Sequence, residues 1–476
     1  MIKSSWLLRS HDNASLVFYR VYFGLLVAWS LTRFWWNGWL ERSFIEPTHF
    51  FSYWGFDWVT VPAPVFVYAL FVIGILSGLA VAFGFLYRFA SLALFLSFTY
   101  IELMDLSNYL NHYYLVSLLA FLNLFLPLNT RLSLDVVFGW TTENKTAPAW
   151  CLNLLRFQVA TVYFFAGIAK LGSDWLLFAQ PMHGWMMAQG DLPLIGTWLT
   201  QTWVQYVMAW SGFLFDTTIW IWMLIPRTRL VAYGVIVVFH ALTSLFFPIG
   251  LFPLIMIGMA TVFFSPTWPL QLAAHLQTLT PWRVDRDSVS APSVTSTAPS
   301  LSRARGFLLQ AGIGSWVCFQ FLMPLRHLAY DSHLLWSEEG MRFSWKVMVR
   351  EKNGQVTFKV VDRKSDRTWD VSPAQYLAQH QELEMSGQPD LILQMAHLIR
   401  DDFKGKGFDV AVYAEAWVSL NSRPAQLMID PKVDLTTQAD RLTQKNWILP
   451  APSKQPTAPR PVVALKDAAA KNEARP

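Results

Sequence analysis

Charge is what this sequence has least of. Only 14% of its 476 residues are Asp, Glu, Lys or Arg, against about 25% in soluble domains. Hydrophobic residues make up 54% and aromatic residues 16%, so a soluble globular protein is excluded. Basic residues never gather into a run and the net charge is +5, which gives no footprint for nucleic acid. Cysteine is nearly absent. Cys151 and Cys318 both lie in or beside apolar runs and build neither a disulfide framework nor a thiolate metal site. His-Glu-x-x-His, paired Cys-x-x-Cys and closely spaced carboxylates are missing, which leaves metal catalysis without a motif. A phosphate-binding glycine loop and a Gly-x-Ser-x-Gly elbow are missing as well. Met1-Ile2-Lys3-Ser4-Ser5 begins no short apolar region with a cleavage site after it, so targeting is expected to fall to the first spanning helix.

What the chain has is long apolar runs. A helix needs about 20 mainly apolar residues to cross the hydrocarbon, and runs at 14–33, 65–86, 88–105, 112–128, 151–171, 204–225, 229–247, 249–264 and 307–325 come near that length. They predict an all-α polytopic membrane helix bundle of about nine spans, range seven to ten. The third, fourth, seventh and eighth are short or closely coupled. The 24 Trp supply aromatic belts for both interfaces. With a cytoplasmic N-terminus, Lys3, Arg9, Arg88, Arg131, Lys145, Arg227, Arg229, Arg283, Arg286, Arg303 and Arg305 fall inside, and only Arg33 and Arg42 fall outside. That division satisfies the positive-inside rule. The segment 172–203 has no Lys or Arg, as an outside loop should. Nine spans put the C-terminal region outside too, on the side of Lys170, the 106–112 turn and the outer end of the seventh run.

The bundle is expected over 1–330, with a flexible linker, rich in Ser, Pro, Thr and Ala, at 284–304. A small extracytoplasmic α+β domain follows over 331–432. Alternating segments at 345–350 and 356–361 flank Asn353-Gly354, the strongest short hairpin signal. Helices are expected near 373–385 and 389–404, and strands near 409–420 and 424–430. The Pro-, Lys- and Ala-rich residues 433–476 are expected to be a disordered tail.

Lys170 is the most informative single residue. It ends the apolar run from Leu154 to Leu171 and is followed by a Gly-Ser-Asp-Trp exit. An ionisable group at membrane depth is by default a functional hypothesis; the alternative is a lysine that snorkels to the headgroups from a helix end. Removing water disfavours the charged form of an amine, so an amine held dry can act as a base. Upstream, Asp105-Leu106-Ser107-Asn108-Tyr109-Leu110-Asn111-His112-Tyr113-Tyr114 gathers amide, imidazole and phenol groups. His112 could orient a phenolic ligand, or the stretch is a capped interfacial turn. His240 lies in mid-helix, where pairing to a neighbouring helix is the alternative to a ligand role. Asp216 is also mid-span; a lone carboxylate there costs about 2.5–3.5 kcal/mol, so a partner or a proton is expected.

These residues fall in segments that resemble the vitamin K-dependent gamma-glutamyl carboxylase family, including its bacterial homologues, and its horizontally transferred transmembrane domain. The likeness runs in order through Tyr109-Leu110-Asn111-His112-Tyr113-Tyr114-Leu115, Tyr163-Phe164-Phe165-Ala166-Gly167-Ile168-Ala169-Lys170-Leu171 with Asp174-Trp175, Phe239-His240 and Ile249-Gly250-Leu251-Phe252. It continues through Phe264-Ser265-Pro266-Thr267-Trp268-Pro269 and Trp336-Ser337-Glu338-Glu339-Gly340 with Phe343-Ser344-Trp345, covering most of residues 12–350.

The resemblance implies a coupled reaction. A membrane lysine deprotonates reduced vitamin K, which reacts with oxygen to give a strongly basic alkoxide on the way to the epoxide. That base removes a glutamate γ-proton, and the carbanion captures carbon dioxide. Lys170 matches the family's base, Asn111 and His112 match its Asn-His pair near the quinol, and His240 matches its later membrane histidine. The implied cofactor is vitamin K hydroquinone or menaquinol, with oxygen and carbon dioxide as co-substrates and no metal. The implied partners are the bilayer, the quinol and a glutamate-containing peptide or protein, in a bacterial inner membrane. Two departures stand out. Ala169 replaces the first lysine of the family's Lys-Lys pair, and the luminal disulfide of animal members cannot form from Cys151 on the inner side. Quinol epoxidation without carboxylation is thus the runner-up, and a transporter or binding protein the third reading. The third predicts a polar route across the membrane, whereas the polar groups here gather toward one side.

Overall fold

The computed structural model describes residues 7–247, 249–279 and 302–456. Its membrane region is built from α1 (Ala14–Trp36), α2 (Pro64–Phe83), α3 (Tyr87–Leu103), α4 (Asn111–Asn123), α5 (Ala149–Ala169), α6 (Thr202–Leu224), α7 (Arg229–Phe246), α8 (Phe252–Ala260), α9 (Trp268–Leu279) and α10 (Arg303–Leu325), with shorter helical turns between them. Among the described residues six of these, α1, α2, α5, α6, α7 and α10, are long and apolar enough to cross a membrane. A seventh results if the pair Phe252–Phe263 and Trp268–Gln277, bent by 96°, counts as one span. The expected nine is therefore corrected to six or seven. At 1.5 Å per residue, α3 with 17 residues and α4 with 13 reach about 25 and 20 Å, short of the hydrocarbon thickness of about 30 Å. The run at 249–264 breaks after the 9 residues of α8.

Small residues set the closest helix contact. A Cβ on Gly24 would lie 2.5 Å from the Gly78 carbonyl oxygen, and one on Gly78 would lie 3.1 Å from Ala28 N. Gly24 and Ala28 on α1, with Gly74, Gly78 and Ala82 on α2, thus form a facing small-xxx-small pair that lets the backbones touch. The buried Arg20 ties one end of the bundle. Its guanidinium donates to the carbonyls of Ala82, Leu128 and Arg131, answering carbonyls left free where segments end. The same end collects residues 13–15, 144–145 and 266 through Asn13 N to Lys145 O and Ser15 N to Pro266 O.

The opposite end carries the C-terminal domain. Gln381 donates to His49 O and to Asp105 Oδ2, both at 2.9 Å. Arg423 clamps Asp174 through two bonds of 2.6 and 2.7 Å, and Asn421 adds a third at 2.9 Å. Burial alone would raise the Asp174 carboxyl, but these donors outweigh it and hold it below its ordinary value. Lys170, the 106–112 turn and the outer end of α7 thus share the side of the domain.

That domain is α+β. Strands β3 (Lys352–Asp362), β4 (Thr368–Val371), β5 (Val410–Leu420) and β6 (Gln426–Leu427) form an antiparallel sheet in the order β4-β3-β5-β6. Earlier in the chain, β1 (Ser10–Asp12) and β2 (Thr146–Pro148) form a separate pair. Helices α11 (Gln379–Ser386) and α12 (Pro389–Gly405) cover the sheet. Val356, Phe358 and Val360 alternate inward from β3 onto Leu391, Met395 and Ile399 of α12. The expected hairpin at Asn353-Gly354 is not formed. Both residues lie inside β3, where Gly354 pairs with Val418. A Cβ on Gly354 would meet the Ser386 carbonyl oxygen at 2.5 Å, so the glycine admits the end of α11 rather than turning the chain.

The segment Trp345–Arg350, read as a strand, is a series of turns. Phe343, Trp345 and Met348 take φ of 59, 56 and 52°, a left-handed conformation disfavoured for side chains of this size. It swings the Phe343 and Trp345 rings into the bundle, 4.8 and 5.0 Å from the Tyr114 ring. Residues 433–456 of the expected tail are described and pack on the domain. Leu435 and Trp447 are buried in the domain core, and Ile448 bridges to Ile429; residues 457–476 lie outside the described residues. So does nearly all of the expected linker, its last residues excepted.

Candidate functional site

Lys170 caps the C-terminal end of α5 and is 5% exposed. Its Nζ lies 2.8 Å from Asp216 Oδ2 and 3.3 Å from the carbonyl oxygens of Ala166 and Val347. The Trp175 ring lies 5.2 Å away, within cation–π range. The snorkelling alternative required the amine to reach the headgroups; here it is turned inward onto a carboxylate. Gly167 makes this possible. A Cβ there would lie 2.6 Å from Thr217 Cγ2 and 2.8 Å from Thr217 N, so only glycine lets α5 approach α6 closely enough to bring Asp216 against the lysine. The amine expected to be held dry stands 2.8 Å from a carboxylate, and Asp216 has the partner its mid-span position called for.

The pair lines a cavity of about 240 Å³. Its walls are mainly apolar, with Val162, Phe239, Leu242, Phe246, Phe252 and Met256 around the polar groups of Lys170, Asp216, Tyr163 and His240. His240 is buried and shares a hydrogen bond of 3.1 Å between Nε2 and Tyr163 Oη. Its Nδ1 has no hydrogen-bond partner among the described residues. Phe239 stacks on Phe215 at 3.7 Å between ring centres, which holds this part of α7 against α6.

Asn111 and His112 line the adjoining cavity of about 510 Å³ instead. The two cavities share Ile249, Phe252, Val347 and Met348 as walls. The Phe252 ring stands between the two imidazoles, 6.0 Å from His112 and 5.9 Å from His240. Asn111 Oδ1 accepts from Tyr109 Oη, which itself accepts from Phe343 N of the domain. The four residues singled out in the sequence thus divide into two pairs, Lys170 with His240 and Asn111 with His112, on the two sides of a partition.

Sequence reasoning did not find that partition. Val347 and Met348 belong to the turn-rich segment of the C-terminal domain, and Met348 also lines a polar cleft of about 690 Å³ between domain and bundle. Arg342, Lys346, Arg350 and Asn111 lie along the cleft. Burial pushes the Lys346 ammonium below its ordinary value. No periodicity announces such a wall, because it depends on left-handed backbone at positions occupied by large side chains. Among the described residues no group of three or more His, Cys, Asp or Glu is placed to hold a metal ion.

Comparison with known families gives two matches. The HTTM domain matches residues 8–268, and the lumenal domain of vitamin K-dependent gamma-carboxylase matches residues 306–454. No solved structure matches the chain.

Proposed function

Because the chain belongs to the vitamin K-dependent gamma-carboxylase family, we propose that it is a quinol-dependent oxygenase and carboxylase, coupling epoxidation of vitamin K hydroquinone or menaquinol to γ-carboxylation of glutamate. The observation that carries this reading is the buried Lys170–Asp216 pair at the wall of an apolar cavity. The residues present fit a flat phenolic guest. The walls are apolar and aromatic, the amine and carboxylate meet at one place, and the buried His240 Nδ1 lacks the partner that a buried polar atom requires. The cavity lies near the small end of ligand pockets of about 300–1,000 Å³, which suits a ring headgroup but leaves a prenyl tail outside it. Val207 and Leu242, on the lipid-facing sides of α6 and α7, line it as well and offer that tail an apolar exit.

The bound quinol, with oxygen, supplies the strong base that a glutamate γ-C–H demands. The chain's own groups set up proton transfer. Lys170 passes its extra proton to Asp216, 2.8 Å away, and the neutral amine then accepts the proton of a hydroxyl at the cavity wall, which restores the ammonium. The mainly apolar walls let charge interactions between these groups keep their strength. His240, held by Tyr163, offers Nδ1 to orient the same ring. Asn111 and His112 serve the neighbouring cavity, and the polar cleft beyond Met348, where Lys346 and Arg350 lie among Glu338, Glu351 and Glu384, is where an acidic side chain would approach.

The test incubates purified full-length protein in detergent with reduced menaquinone or vitamin K, oxygen, labelled bicarbonate and a Glu-containing peptide. Epoxide and labelled peptide are scored separately. Both products from the wild type and neither from Lys170→Ala are expected. Epoxide without label selects the epoxidase reading, and neither product from folded wild type removes the proposal.

A further inference from the structure

Glu102 is a buried carboxyl that the reaction above does not use. It sits near the outer end of α3, 8% exposed. One of its oxygens accepts from Ser117 Oγ of α4, and the other, Oε1, has no hydrogen-bond partner among the described residues. An ionisable group at this depth is by default a functional residue, and an unmet acceptor in an apolar setting is costly.

Glu102 lines a cavity of about 490 Å³ between α1, α3 and α11. Phe34, Phe44, Phe71, Phe98 and Ile101 form its apolar wall. His380 of α11 lines it too, and its Nε2 is a second buried polar atom without a partner among the described residues. The cavity has no residue in common with the one at Lys170, although it shares Ser30, Phe34, Trp39, Leu110 and Tyr113 with the intervening cavity at His112.

The geometry points to a second ligand site at Glu102, for a neutral aromatic molecule that carries a hydroxyl. The rings of the wall offer edge-to-face contact with an aromatic body. The hydroxyl is the donor that Oε1 lacks, and its oxygen can meet His380. Arg42 and Glu384, both also on the lining, offset one another, so neither demands a charge on the ligand.

The experiment uses purified full-length protein and two photoreactive probes, a diazirine-bearing 1-naphthol and its methyl ether, with labelled positions mapped by peptide mass spectrometry. The naphthol should label segments 31–44 and 98–113 about tenfold more than the ether, the weight of one hydrogen bond to a carboxylate. Glu102→Leu should erase that preference, while Lys170→Ala should leave it intact. Equal labelling by both probes in the wild type, a requirement for Lys170, or stronger labelling by an aminomethyl analogue would each overturn the assignment. The comparison of probes needs no variant, so it survives a Glu102→Leu protein that fails to fold. Labelling in Lys170→Ala is read without turnover, so this site and the proposed reaction stand or fall separately.

Discussion

Lys170 and Lys352 each have a buried side chain held against a carboxylate and two backbone carbonyls, yet their surroundings differ. In the C-terminal domain, Lys352 Nζ reaches Trp336 O at 2.6 Å, Gly387 O at 2.7 Å and Glu338 at 2.9 Å, and Arg350 shares the same glutamate. In the bundle, Lys170 has one short contact, to Asp216, and two at 3.3 Å, with an apolar cavity at its side. Lys352 is satisfied by its own fold and holds strand β3 to the segments around it. Lys170 has room beside it for a guest hydroxyl. Burial and pairing alone therefore do not separate a scaffold amine from a reactive one; the character of the neighbouring cavity does, since Lys352 borders the polar cleft of about 690 Å³ and Lys170 the apolar one.

The sharpest way to break this comparison is to remove each amine in turn. Lys170→Met should lower epoxide formation by about 10²–10⁴-fold, the usual weight of a positioned acid or base, in a protein that still folds. Residual turnover near the wild-type rate would put Lys170 in the same class as Lys352. Lys352→Met should act on stability instead, costing about 3 kcal/mol by stranding half of a buried pair, read as a lower denaturation midpoint. Glu338 keeps Arg350, which places the loss at the low end.

The two lysines can be separated by pH as well. Burial pushes Lys352 down from 10.5 to about 8, against the pull of Glu338. Between those values the unfolded chain binds the proton that the folded domain has released, so this group adds stability as pH rises from about 8 to 10.5. Thermal unfolding of the wild type should improve through that window relative to Lys352→Met; parallel curves would contradict the assignment. The smallest effect belongs to Tyr163→Phe. It removes the hydrogen bond to His240, worth about 1 kcal/mol, and should slow turnover about fivefold with stability hardly altered. An unchanged rate would leave the imidazole without an orienting role.

Much of the site's chemistry was legible residue by residue. Lys170 stood out because a charge at the end of an apolar run is costly, and Asp216 called for a partner for the same reason. That each answers the other was not legible, since 46 positions separate them and the close approach of their helices depends on Gly167 lying against Thr217. The domain helix at 389–404 was readable from its apolar period and its Pro-Asp start, matching α12. The Asn353-Gly354 signal misled because glycine serves a tight turn and a close backbone approach equally well. Span counting overshot because composition registers apolarity, whereas crossing also demands unbroken length.

The sequence by itself determined that this chain lives in a membrane, that a small α+β domain follows, and which ionisable groups would have to be explained. Those conclusions rest on local free energies, the transfer of apolar residues and the penalty for isolated charge. Only the tertiary structure decided that Lys170 and His240 share one cavity while Asn111 and His112 line the next, and that a strained loop from the domain supplies the wall between them. Such a partition depends on side chains hundreds of residues apart meeting at van der Waals distance, and no local preference encodes that meeting.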